Sequence, residues 1–372
     1  MIPYLLVGNP ENRRVTGFCD ALARLGQPPP RVFAWADVIA EPARLLAQPD
    51  VPTFVRLEAC GESFAVERAL LARGRADAES LVPRPSTVDP ATLVEDFGRV
   101  FAPRQQHCGF LRVLEDLTRV FAERPRWIVQ NPPAEIAELF DKRATARRFA
   151  GLGVPVPASL ACAPDPEALR EAMTTRAVYV KLSCGSSASC LALFRRDGER
   201  EVVLTSLTPD AQGFTNTLGL RRYEDRATID RILGFLLREG SQVEESVPKA
   251  KLGGKPFDTR VVAVAGEPVF TLVRRSRHPI TNLHLGGSRG DLAAFERLVP
   301  EDARSEALES CRRIGAHYAS HHLGIDLLYE SDLRGHRVVE ANAFGDLLPG
   351  LHREGRSVYE WEILAALARK DR

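Results

Sequence analysis

The chain has 372 residues, 44% hydrophobic and 27% charged, the balance of an ordinary globular protein long enough for two domains. A formal net charge of +1 leaves no global attraction for nucleic acid or anionic lipid. No run of about 18 apolar residues is present, so no membrane span is expected.

Met1 to Asn9 lacks the basic start of a signal peptide. Seven cysteines (Cys19, Cys60, Cys108, Cys162, Cys184, Cys190 and Cys311) are scattered with no Cys-x-x-Cys pair, which argues against zinc or dithiol chemistry. The expectation is a reduced, cytoplasmic protein. Only six of the 50 basic residues are lysines: Lys142, Lys181, Lys249, Lys251, Lys255 and Lys370. A lysine kept against that background is a candidate for a role needing a compact ammonium.

In chain order, Pro3 to Val7 reads as an apolar strand broken by Gly8-Asn9-Pro10. A helix over Val15 to Leu25 and strands at Arg31 to Ala34 and Thr53 to Leu57 follow. The alternation predicts a parallel-sheet α/β unit. The Gly8-Asn9-Pro10 turn is not a dinucleotide fingerprint. Arg75 to Gln106, rich in Pro, Arg, Asp and Glu, reads as surface loops around a short helix. A helix over Phe110 to Phe121 and a strand over Trp127 to Gln130 come next. A division near residue 120 is expected, good to about 15 residues.

A helix over Asp141 to Leu152 opens the second part. Strands are predicted at Ala177 to Leu182, Cys190 to Arg195, Gln242 to Val247, Thr259 to Val264, Glu267 to Arg274, Ile325 to Leu328 and Val338 to Ala341. Helices are predicted at Ala227 to Arg238, Asp302 to His321 and Val358 to Ala368.

Four stretches carry chemistry. Val180-Lys181 leads into Ser183-Cys184-Gly185-Ser186-Ser187, where small residues let backbone N–H groups face an anion and lysine adds charge. The order is not that of a Walker loop. Val243-Glu244-Glu245-Ser246-Val247-Pro248 is a strand whose end can lend backbone groups to a planar ring. Asp258-Thr259-Arg260 alternates along a strand, and Arg274-Arg275 with Thr281-Asn282 and Gly286-Gly287 suits phosphoryl and carboxylate groups. Finally, Asp326 on one strand is followed by Glu340-Ala341-Asn342, where residues two apart share a face. If those strands pair, three hard oxygen donors converge as Mg²⁺ requires. Arg56 with the Glu58 to Glu62 turn could serve an acceptor substrate, or could be structural.

In this order, over roughly Asp141 to Pro349, the chain resembles the ATP-grasp superfamily, most closely its RimK-like branch of amino-acid ligases. The likeness rests on Asp258/Arg260, Arg275…Asn282…Gly286-Gly287 and Glu340/Asn342. Cys190 departs from a common glycine, and Ser246 from a common aromatic. The resemblance implies an N-terminal parallel-sheet α/β domain over residues 1–120. A two-lobed domain with antiparallel sheets would follow over 121–372, its lobes dividing near residue 243.

It further implies ATP with Mg²⁺, or Mn²⁺ in its place. Lys142, Lys181, Ser186 and Ser187 would hold phosphates, Glu244, Glu245 and Val247 the adenine, and Asp258 the ribose. Asp326, Glu340 and Asn342 would hold the metal. Arg275 would stabilise the transferring phosphoryl group, while Arg260 and Asn282 orient the acyl group. The implied reaction joins a carboxylate of a small molecule or peptide to an amine through an acylphosphate, releasing ADP and phosphate. A small-molecule kinase and a non-catalytic ATP-binding regulator are the alternatives. Retention of Asp326, Glu340 and Asn342 disfavours the regulator. Neither nucleic acid nor membrane is expected as a partner, and oligomeric state is left open.

Overall fold

Short apolar strands joined by helices bury both faces when they run parallel. Arg31–Ala34, Tyr4–Gly8, Thr53–Leu57 and Trp127–Val129 form such a sheet, in that spatial order. The computed structural model describes residues 2–161, 163–185 and 189–369. One face of the sheet carries Tyr4, Leu6 and Phe54 against Phe18 of helix Arg13–Arg24 and Tyr359 and Ile363 of helix Val358–Arg369. The last helix of the chain thus closes the first sheet. The opposite face packs on helices Phe64–Ser80 and Pro103–Ala122 through Leu70, Phe110 and Leu114.

Those two helices correct the reading of Arg75 to Gln106 as loops around a short helix. The first spans 17 residues, and the second begins seven residues before Phe110. They cross at glycines. A Cβ on Gly109 would lie 1.8 Å from the Leu70 carbonyl oxygen, and one on Gly74 would lie 2.0 Å from that of Gln105. Backbone cannot yield cheaply there, so Gly109→Ala is expected to cost at least about 2 kcal/mol. Thermal denaturation reads this directly, and an unchanged Tm would contradict the crossing.

Arg56 lies on the other face of the sheet, beneath helices Arg13–Arg24 and Val358–Arg369. It is fully buried, 2.7 Å from both Glu58 and Glu362, and its guanidinium lies 4.4 Å from the Phe18 ring centroid. A charge held this way from both sides braces the C-terminal helix to the sheet. It has no open face for a substrate.

The second layer system is antiparallel. One sheet has the order Ser241–Glu245, Ala177–Leu182, Leu191–Asp197, Arg200–Asp210, Gly213–Tyr223, Arg99–Val100. Val178, Val180, Ala192, Phe194 and Val203 face Ile229, Leu233 and Leu236 of helix Arg226–Arg238. Tyr179 and Lys181, of opposite parity, face the other way. The other sheet places Lys255–Val264 between Glu267–Arg275 and His322–Tyr329, and His336–Asn342 follows on the latter. Its Phe257, Val261, Ile325 and Leu327 pack on Ala307, Cys311 and Ile314 of helix Glu301–His317. Trp127–Val129 joins the parallel sheet from beyond residue 120, and Ser241–Glu245 crosses residue 242 within one strand. No helix among the described residues is long and apolar enough to cross a membrane.

Candidate active site

The polar faces of the two antiparallel sheets enclose a cleft lined by Lys142, Lys181, Glu244, Asp258, Arg274, Asp326 and Glu340, among others. Register sets its floor. Arg260 pairs with Asp326, and Asp326 pairs with Glu340 on the next strand. Gly324 pairs with Asn342, so Asp326, Glu340 and Asn342 share one face. The Asn342 amide donates to Gly324 O at 3.2 Å and to Glu340 Oε1 at 3.3 Å, leaving its own Oδ1 as its remaining polar atom.

Cations surround these carboxylates. Arg260 Nη2 donates to Asp326 Oδ2 at 3.2 Å, and Arg274 Nη2 lies 3.1 Å from Asp326 Oδ1. Burial still pushes the Asp326 carboxyl above its ordinary value, with Glu340 and Asp258 adding to the rise against the two arginines. Burial also works against ionised Glu340, but Lys142, Lys181 and Arg260 outweigh it and hold that carboxyl down to about 2. Asp258 is likewise buried, and Arg274 and Lys249 hold it below the usual carboxylate range.

Local structure explains how the lysines arrive. Asp141 caps helix Lys142–Gly151, accepting from the backbone N–H groups of Arg143 and Ala144, and Lys142 N donates to Ser183 O at 3.0 Å. Lys142 Nζ then lies 3.4 Å from Glu340 Oε2 and donates to Gly185 O. Lys181, on the site-facing parity of its strand, pairs with Glu244 Oε1 at 2.7 Å. Glu244, Glu245 and Val247 line the cleft. The Glu245 and Ser246 N–H groups already serve Ala158 O and Ala177 O.

Asp258 is held by Arg274 Nε at 2.7 Å, Lys249 Nζ at 3.3 Å and the Thr281 hydroxyl. Asn282 lines the cleft, and its Oδ1 caps the next turn by accepting from His284 N at 2.7 Å. Ser186 and Ser187 lie outside the described residues. Cys190, standing where a glycine is common, adopts φ 55°, in the left-handed region that glycine favours.

Arg275 is not brought into the cleft. Arg274 pairs with Asp258 and faces the site, so Arg275 projects to the other side, paired in register with buried Phe257. A Cβ on Gly253 would lie 3.4 Å from its Nη1. Gly324 was missed by sequence reasoning: a Cβ there would lie 2.6 Å from Arg260 Nη1, so its bareness is what admits the guanidinium. Lys249 was also missed, although its place among so few lysines was a signal.

Whether a divalent ion fits this floor depends on the donors it presents. Among the described residues no group of three or more His, Cys, Asp or Glu side chains is placed to hold a metal. Two carboxylates and one amide oxygen make an incomplete shell, which suits Mg²⁺ because it completes its octahedron with water and phosphate. The residues fit.

No family model matches the chain, and no curated protein matches it. Solved structures do. The ATP-grasp ligase PsnB complexed with minimal precursor, Mg and ADP aligns over 98% of this chain and 96% of its own, at TM-score 0.55 and 15% identity. A Chryseobacterium gregarium RiPP-associated ATP-grasp ligase in complex with ADP and a leader and core peptide aligns over 100% and 98%, at TM-score 0.54 and 14% identity. Agreement over nearly the whole of both chains establishes that this chain has the ATP-grasp fold.

Proposed function

We propose that the chain is a Mg-ATP-dependent carboxylate–amine ligase of RimK-like type acting on a peptide, with an acylphosphate intermediate and ADP and phosphate as by-products. The observation that carries this is the register of Asp326 against Glu340, with Asn342 on the same face and Lys142 and Lys181 opposite. Further support is that both solved structures of this fold named above hold ADP, one with Mg and a minimal precursor and the other with a leader and core peptide.

Asp326, Glu340 and Asn342 would hold Mg²⁺, which when bound neutralises phosphate charge and so favours phosphoryl transfer. Lys142 and Lys181 would bind the phosphates. Val247, beyond the two hinge N–H groups used within the fold, would meet the adenine, with Glu244 and Glu245 flanking it. Asp258, held ionised, would accept from a ribose hydroxyl. Arg260 rather than Arg275 would stabilise the charge on the transferring group, since Arg260 faces Asp326 in register whereas Arg275 projects to the other side of its strand. Arg274 would keep Asp258 and Asp326 in position. Asn282, at the cleft mouth, would contact the acyl substrate. Water must be kept from an acylphosphate, and the cleft between two sheets provides that enclosure.

Mass spectrometry and nucleotide analysis test the reading. Purified protein with Mg-ATP, candidate acidic peptides and candidate amines is expected to yield ADP, phosphate and a product whose mass is that of the joined molecules less one water per bond, or the peptide less one water where it carries both groups. AMP with pyrophosphate, or a stable phosphorylated product, would contradict it.

A further inference from the structure

Behind the hinge lies a second groove, of about 560 Å³, in the size range of ligand sites. It continues the nucleotide cleft along the same face of the first antiparallel sheet. Tyr179 and Lys181 line the cleft, and Ala177, one step further by the two-residue period, lines the groove beside its register partner Arg195 and Val202, the partner of Arg195 on the next strand. Val247, Lys249 and Pro279 line both cavities and form the wall between them.

The rim is basic: Arg176, Arg195, Arg200 and Lys251 surround a single carboxylate, Asp197, while Arg196 shares the parity of Phe194 and turns to Glu201 and Arg170 O on the other face. This concentration stands out in a chain whose net charge is only +1. Their internal partners are weak. Arg176 lies 3.5 Å from Asp197 and Arg200 lies 3.6 Å from Glu224, both at exposed arginines. Among the described residues no ion pair holds Arg195 or Lys251, both exposed. The floor is apolar and lacks aromatic rings, built from Ala177, Val202, Pro248 and Pro256.

We propose that this groove binds an acidic segment of a peptide. The cations come from four separate segments, Arg176 just before one strand, Arg195 and Arg200 on two neighbouring strands and Lys251 on the other sheet, which suits carboxylates spaced along an extended chain better than a single compact anion. An apolar floor accepts the intervening small side chains. The absence of stacking rings disfavours single-stranded nucleic acid. The presence of a peptide rests on the ligase reading above, and the groove would then hold a part of the substrate remote from the reacting carboxylate. Binding energy from such a remote segment helps orient the reacting end.

Fluorescence anisotropy with the full chain tests this without turnover. The probes are a fluorescein-labelled alternating Glu-Ala dodecapeptide and its Gln-Ala counterpart. The Glu-Ala peptide is expected to bind, to weaken as salt rises, and to bind about tenfold less tightly to Arg195→Glu/Lys251→Glu. ADP affinity of that variant, by calorimetry with Mg²⁺, is expected to be unchanged, which also verifies its fold. Equal binding of the Gln-Ala peptide, an unaffected double variant, or tighter binding of a single-stranded oligodeoxynucleotide would overturn the proposal. Loss of ADP affinity alongside peptide affinity would overturn it too, because the groove would then not be a separate site. Failure of the wild-type protein to bind ADP, with acidic-peptide binding intact, would count against the ligase reading while supporting the groove.

Discussion

Glu340→Gln is expected to lower turnover by about a thousandfold, an effect of several kcal/mol on the transition state. Glu340 is kept firmly ionised by its surroundings, held down to about 2 by Lys142, Lys181 and Arg260 against burial. The amide keeps the shape and the contact with Asn342 but removes the charge a metal needs. Stability at neutral pH should fall as well, because a carboxyl held that far down is one whose charge the fold stabilises on balance, and relief of the repulsion from Asp326 offsets only part of that loss. Steady-state ADP release and a melting curve separate the two effects. A variant that folds and retains more than about a tenth of wild-type turnover would be inconsistent with a metal role for Glu340.

The second large effect separates two arginines. Arg260→Met is expected to reduce kcat by about 10²–10³-fold, the usual cost of losing one group aimed at developing charge. Arg275→Met is expected to stay within about threefold of wild type, because its side chain lies on the helix-covered face with Phe257. Gly324→Ala is a companion, since its Cβ would sit 2.6 Å from Arg260 Nη1 and 2.9 Å from Gly345 O, so that arginine and the Gly345 loop must both move. If Arg275→Met proved the more damaging of the two arginine changes, the strand parity assigned here would have to be abandoned.

That parity explains what sequence could not provide. Asp326 and Glu340-x-Asn342 were legible because a carboxylate on an apolar strand and an acid–amide pair two apart need only the two-residue period. Choosing between adjacent Arg274 and Arg275 needs the register against Asp258, a long-range fact that depends on how two strands align. Choosing Arg274 would have required knowing that it bridges Asp258 and Asp326.

The long hairpin of Arg200–Asp210 and Gly213–Tyr223 went unread for a related reason. Its outer strand is half-exposed, with Leu218 68% exposed, so burial imposes no clean alternation on the sequence. Helix Phe64–Ser80 was hidden by Gly74, a residue that weakens a helix intrinsically. The structure uses that glycine for a backbone approach of 2.0 Å from the would-be Cβ to Gln105 O. Tertiary contact overrides local preference in both cases. The strands of the parallel sheet and the capped helix carrying Lys142 were legible because their signals are local.

The most direct test is a crystal grown with ADP and Mn²⁺ in place of Mg²⁺. The account predicts an anomalous peak between Asp326, Glu340 and the Asn342 oxygen, with the diphosphate reaching it past Lys142 and Lys181. Nucleotide bound elsewhere, or a manganese peak remote from Glu340, would contradict it.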